Sequence, residues 1–192
     1  KRLGEVEAFP SNPGVLMNHQ KLIARFLSSY TIYDQLLLVH EMGTGKTCSA
    51  VGAIEQIREE HYRFTGALYL ARGESLINNF INELIFKCTD GRYIPEDYHG
   101  LTALEKVHRK KKAIRDYYTM NTFETFAKEI RATNSAELKR KYSNKIIVID
   151  EVHNLRMQAT EKTLNIYNQF IRFLHEVEDC KILLLSGTPM YN

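Results

Sequence analysis

The sequence is short of cysteine, of long apolar runs and of net charge, and each shortage removes a class of protein. Its three cysteines, Cys48, Cys88 and Cys180, are too few and too scattered for a disulfide framework or a zinc site. They point to a reducing compartment such as the cytoplasm. No apolar stretch approaches the roughly 20 residues a membrane-spanning helix needs, and no secretory leader is visible, so no membrane partner is expected. A formal charge of +3 permits a nucleic-acid partner without demanding one. What is present is ordinary for a globular protein: 192 residues, 44% hydrophobic and 26% charged, enough for one domain with a full core. Residue 1 is lysine, and residue 192 follows a strand with no closing element, so the chain reads as part of something longer.

Pro10, Pro13 and Gly14 mark residues 1–17 as an irregular approach. Asn18 is placed to cap a helix from His19 to about Tyr30. Five apolar runs then read as strands, at 36–39, 66–71, 117–120, 146–149 and 181–185, with helical patterns between them. The first strand is expected to be buried. Residues 87–116 are the least regular, and the basic run Arg109–Lys112 reads as a solvated helix face or a phosphate-contacting patch. Residues 131–142 are polar and basic and are expected to be exposed. Alternating strands and helices predict an α/β fold, a mostly parallel sheet covered by helices on both faces.

The chain is organised around residues 38–47, where a strand runs through a turn at Gly43 and Gly45 into a helix beginning at Lys46. Backbone N–H groups of such a turn, with the dipole of the following helix, make an anion site. Lys46 is placed to meet outer phosphates, and the Thr47 hydroxyl to meet a magnesium ion. The pattern G-x-x-x-x-G-K asks for glycine at position 40, where this chain has His40. A second carboxylate signal follows the strand 146–149: Asp150 is suited to hold magnesium through water, and Glu151 to polarise an attacking water. Gln20 is either a plain surface residue or a donor–acceptor pair for an adenine edge. Arg72 and Ser75 lie beyond the end of a strand, where open α/β sheets bind ligands, and suit a backbone phosphate. Ser186 and Thr188, at the end of the last strand, can bond to the Asp-Glu segment.

Taken in order, the segments HQ (19–20), HEMGTGKT (40–47), LYLARGESLINNF (68–80), NTFETF (121–126), VIDEVHNLR (148–156) and LSGTPMYN (185–192) resemble the first half of a superfamily 2 helicase motor. More narrowly they resemble its Snf2-like branch and the transcription and mRNA-release ATPases of large cytoplasmic DNA viruses. The resemblance runs from residue 16 to the end. It implies a RecA-like P-loop NTPase lobe, with the whole of 1–192 as a helicase ATP-binding domain. It also accounts for His40, because Snf2-type loops commonly carry no glycine there.

The resemblance implies ATP and Mg2+ as cofactors, adenine recognition by Gln20, and phosphate binding by Gly43, Thr44, Gly45, Lys46, Thr47 and Cys48. Magnesium falls to Thr47 and Asp150, water activation to Glu151, and coupling to His153, Ser186 and Thr188. Arg72, Ser75 and Thr122 are implied in contact with the nucleic-acid backbone, DNA more than RNA, although Ala71-Arg72-Gly73 stands where Snf2-like proteins usually have Ala-Pro. The expected partners are a second RecA-like lobe, which supplies arginines to the transferred phosphate, and the transcription machinery. Without that lobe the chain alone is expected to be nearly inert as an ATPase. Two other readings stand beside a translocating helicase: an ATP-driven remodelling or termination factor that separates no strands, and a binding module without chemistry. Intact Lys46, Asp150 and Glu151 argue against the last.

Overall fold

A computed structural model describes residues 16–28, 30–40, 45–60, 63–94, 96–155 and 161–187, with side chains from 165 onward in the last stretch. Five parallel strands form one sheet in the order β1-β5-β4-β2-β3. They are β1 (Gln35–Val39), β2 (Ala67–Ala71), β3 (Tyr118–Thr122), β4 (Ile146–Ile149) and β5 (Lys181–Ser186). The helices are α1 (Asn18–Phe26), α2 (Lys46–Glu60), α3 (Glu74–Glu83), α4 (Ala103–Ile114), α5 (Phe123–Ala132), α6 (Ser135–Tyr142) and α7 (Glu161–Glu176). Among the described residues no helix is long and apolar enough to cross a membrane.

The pleat of the sheet separates two cores. In β2, Ala67, Tyr69 and Ala71 face α1, α2 and α3 together with Ile146, Val148, Leu183 and Leu185. The alternate residues Leu68 and Leu70, with Ile147, Ile149 and Ile182, face the aromatic cluster Phe126, Phe170 and Phe173 of α5 and α7. Every β2 and β4 residue is buried, as continuous apolar runs in a sheet covered on both faces require. The fold is the expected α/β sheet with helices on both faces.

Several local expectations are corrected. β1 is an edge strand rather than a buried one, and Leu37 and Val39 are 55% and 46% exposed. Asn18 lies inside α1 rather than capping it, because Gln20 reaches back to accept the Met17 N–H at 2.8 Å. That helix stops at Phe26, whose carbonyl accepts the Thr31 hydroxyl at 2.6 Å. Residues 135–142 form a helix capped by Asn134; the stretch is exposed as expected except for Leu138 and Tyr142, which are buried on one side. The basic run lies on α4, which Thr102 and Glu105 cap reciprocally and which buries only Ile114. Cys48 and Cys88 are disulfide-bonded, contrary to the reading of scattered thiols, with Cα atoms 5.1 Å apart. Helix α3 continues into a π-helical turn, Leu84–Cys88, which brings Cys88 beside α2.

Candidate nucleotide site

The strand order decides where the site lies. β5 sits between β1 and β4, with Val39 paired to Ser186 and Ile149 to Leu184. The loop after β1 and the carboxylates after β4 therefore emerge on either side of the end of β5. This is the end at which parallel sheets bind ligands.

Helix α2 begins at Lys46, directly after Gly45, whose φ of +82° is open to glycine and strained for other residues. A β-carbon at Gly45 would also stand 2.6 Å from Gln20 Nε2. That amide donates to the Gly45 carbonyl at 3.1 Å, while its oxygen holds Met17 N–H. Gln20 is 3% exposed and ties the start of α1 to the loop.

Asp150 continues the β4 ladder, its N–H donating to the Leu70 carbonyl at 2.8 Å. Glu151 then turns into the left-handed region at φ +50°. For a residue with a β-carbon this costs on the order of 1–3 kcal/mol, and such strain gathers at functional sites. The turn aims the carboxylate at the end of β5. Lys46 Nζ donates to Glu151 Oε1 at 3.0 Å, and the Gly187 N–H donates to Oε2 at 2.9 Å. His153 Nδ1 lies 3.1 Å from Ser186 Oγ and 3.3 Å from Glu151 Oε2.

The two carboxylates are tuned in opposite directions. Burial raises the Asp150 pKa, against the opposing hydrogen bond from the Tyr69 hydroxyl. Burial also acts upward on Glu151, but the Gly187 amide and the Lys46 ammonium outweigh it and hold Glu151 below the usual carboxylate range. Glu151 is thus kept ionised. His40 is held below the ordinary imidazole range by burial, then by His19 and Lys46.

Lys46, Thr47, Tyr69, Asp150 and Glu151 line one cavity of about 280 Å³, walled on its far side by α3. Among the described residues no group of three His, Cys, Asp or Glu side chains could hold a metal. The Thr47 hydroxyl and the single half-buried carboxylate of Asp150 are, however, the sparse donor set that suits magnesium, which keeps waters and shares phosphate oxygens.

Of the remaining sequence candidates, Gly43, Thr44 and Thr188 lie outside the described residues. Cys48 is 8% exposed and bonded to Cys88, so its thiol is unavailable to a ligand, leaving only its position in the first turn of α2. Arg72 is bonded to Asn154 at 3.0 Å, which links the loop after β2 to the one after β4. Ala71 pairs with Thr122, so Arg72 and Ser75 share one sheet end with Thr122. The Thr122 hydroxyl accepts the Thr125 N–H at 3.3 Å and so caps α5. Two site residues escaped the sequence reading. Gly187 was overlooked beside the hydroxyls flanking it, and Tyr69 sat unremarked as the one polar atom in an apolar strand.

A family model described as type III restriction enzyme, res subunit, matches residues 16–191. Protein 087L of Invertebrate iridescent virus 3, which carries a helicase name, is 41% identical over 196 residues, covering 96% of this chain and 20% of that protein. Protein 009L of Frog virus 3 (isolate Goorha), likewise named a helicase, is 44% identical over 175 residues, covering 91% and 18%. The chain thus spans about a fifth of the length of these relatives. The SWI2/SNF2 ATPase core of Sulfolobus solfataricus, solved in complex with dsDNA, shares the fold with a TM-score of 0.57 at 20% identity, covering 94% of this chain and 34% of that one.

Proposed function

We propose that this chain, which belongs to the family of the type III restriction enzyme res subunit and is the first RecA-like lobe of a superfamily 2 helicase-like ATPase, binds ATP with magnesium and couples its hydrolysis to translocation on DNA in viral transcription. The observation that carries the reading is the convergence of Lys46, Glu151 and the Gly187 amide at the carboxyl ends of three neighbouring strands.

In this reading the Lys46–Glu151 pair opens on nucleotide binding. Lys46 turns to the outer phosphates, supported by the loop amides of Gly43, Thr44 and Gly45 and by the first turn of α2 at Thr47 and Cys48. Glu151, released from the ammonium but still held by Gly187, takes a proton from the attacking water. Thr47 and Asp150 would hold magnesium, which would supply charge neutralisation at the phosphates. Gln20 serves adenine with the hydrogen-bonding capacity left after it has fixed Met17 and Gly45. His153, Ser186 and Thr188 relay the state of Glu151 to the end of β5. Arg72, Ser75 and Thr122 meet the nucleic-acid backbone.

A second lobe is proposed to supply the arginine that meets charge developing on the outer phosphate. Phosphate release tests this, measured for the chain alone and for a protein that carries the downstream lobe, each with duplex DNA, single-stranded DNA and RNA. The chain alone should be nearly inert, because an arginine supplied in trans is worth about 10³–10⁵ in rate. The longer protein should turn over and depend on DNA. Turnover of about 1 s⁻¹ by the isolated chain as a verified monomer would refute the two-lobe reading. Stimulation by RNA alone would refute the choice of DNA.

A further inference from the structure

Strand β2 carries one polar side-chain atom, the hydroxyl of Tyr69, and the structure puts it to use at the site. Tyr69 is 2% exposed, flanked on its face of the strand by the small residues Ala67 and Ala71. Its ring stacks on Phe80 of α3 with centroids 3.9 Å apart and planes 20° from parallel. Tyr69 pairs with Val148 in the register of β2 and β4, so Asp150, two residues further on, projects from the same face. The ring spans that diagonal, and its hydroxyl donates to Asp150 Oδ2 at 2.6 Å. The other carboxylate oxygen, Oδ1, accepts the Glu151 N–H at 2.9 Å. Each oxygen of Asp150 therefore has one fixed donor, and the plane of the carboxylate is set. Lone pairs remain on both oxygens for the waters of a metal ion.

We propose that Tyr69 is a positioning residue for magnesium: it fixes Asp150 in the orientation that receives the hydrated ion, and it stabilises the carboxylate against its own burial. The proposal rests on reading Asp150 as the magnesium-side carboxylate. A phenol suits the task. Phenylalanine would fill the same space and stack equally well on Phe80, so the hydroxyl is what bears on Asp150 rather than on the core. Groups that orient a metal's ligands in this way typically contribute about 10–100-fold in metal affinity.

The test uses Tyr69→Phe, Asp150→Asn and the double variant, with a fluorescent ATP analogue whose anisotropy reports binding as MgCl2 is titrated. In Tyr69→Phe the magnesium concentration at half-saturation should rise about 10-fold or more. Affinity for the analogue in EDTA should stay as in the wild type, which a merely structural lesion would not achieve. The double variant should be no worse than Asp150→Asn alone, because the hydroxyl acts through the carboxylate. Thermal melting checks that each variant folds, and Tyr69→Met, with no donor and an adaptable side chain, takes over the test if the phenylalanine variant does not. If Asp150→Asn raises the half-saturation point and Tyr69→Phe leaves it within twofold, the role of Tyr69 is overturned while the magnesium reading stands. If neither variant moves it, the reading of Asp150 fails, and the inference fails with it.

Discussion

Gly187→Ala is the most discriminating substitution, because its effect should fall on the site and spare the fold. The φ of Gly187 is not positive, so alanine meets no backbone strain there. Its new β-carbon would lie 2.7 Å from Lys46 Nζ and 3.1 Å from Glu151 Oε1. Ordinary contact distances are about 3.5–4.0 Å, so the ammonium must withdraw by roughly 1 Å and the carboxylate by somewhat less. Both atoms end flexible side chains, and the chain can yield without disturbing either core. A displacement of about 1 Å in a reacting group costs on the order of 100-fold in rate. That corresponds to about 2.7 kcal/mol in the barrier. The assay is steady-state phosphate release at saturating nucleic acid by the protein carrying both lobes, beside a thermal melt. The expected result is a fall of about 100-fold in kcat with melting within a few degrees of wild type. A kcat within threefold would show that Glu151 does not work from the position it holds here, against the Gly187 amide.

Glu151→Gln should leave ATP affinity nearly unchanged and abolish turnover in the same assay, since the amide keeps shape and reach but accepts no proton; activity within about threefold of wild type would remove Glu151 as the base. Burial raises the pKa of the Cys180 thiol, so less thiolate is present at a given pH, and alkylation should be slow at neutral pH and accelerate with alkalinity beyond the range of an ordinary thiol. Mass spectrometry after iodoacetamide checks this and should find Cys48 and Cys88 unmodified until a reductant is added. Phe173→Ala removes a fully buried ring from edge contacts with Phe126 and Tyr142 and should cost about 3–5 kcal/mol in urea unfolding.

The sheet was legible because its strands are apolar runs set between punctuating residues, and four of the five stop within one residue of where the run suggests. Asp150 and Glu151 were legible because they follow such a run directly, and Lys46 because it opens the helix after the glycine turn. The edge position of β1 was not, since four consecutive apolar residues look alike at the rim and at the centre of a sheet. Helix α6 was obscured because its two buried residues, Leu138 and Tyr142, are spaced i, i+4 among charged neighbours. The pairing of Cys48 with Cys88 spans 40 residues and depends on the π-helical turn, which leaves no periodic trace. Tyr69 and Gly187 belong to the site through sheet register and close backbone approach. Both are properties of strands brought together from 81 and 36 residues away.

Calorimetric titration of ATP–Mg2+ into the chain and into Lys46→Ala tests whether the Gly45-Lys46 turn is a phosphate site. Lys46 pairs with Glu151 and belongs to neither core, so alanine should leave the fold intact. It removes a charge-assisted contact to the nucleotide worth roughly 1.5–3 kcal/mol, about 10–150-fold in Kd. The wild-type chain should bind weakly but measurably, and the variant should lose most of that binding. Equal affinities for the two, both folded, would contradict a phosphate site there.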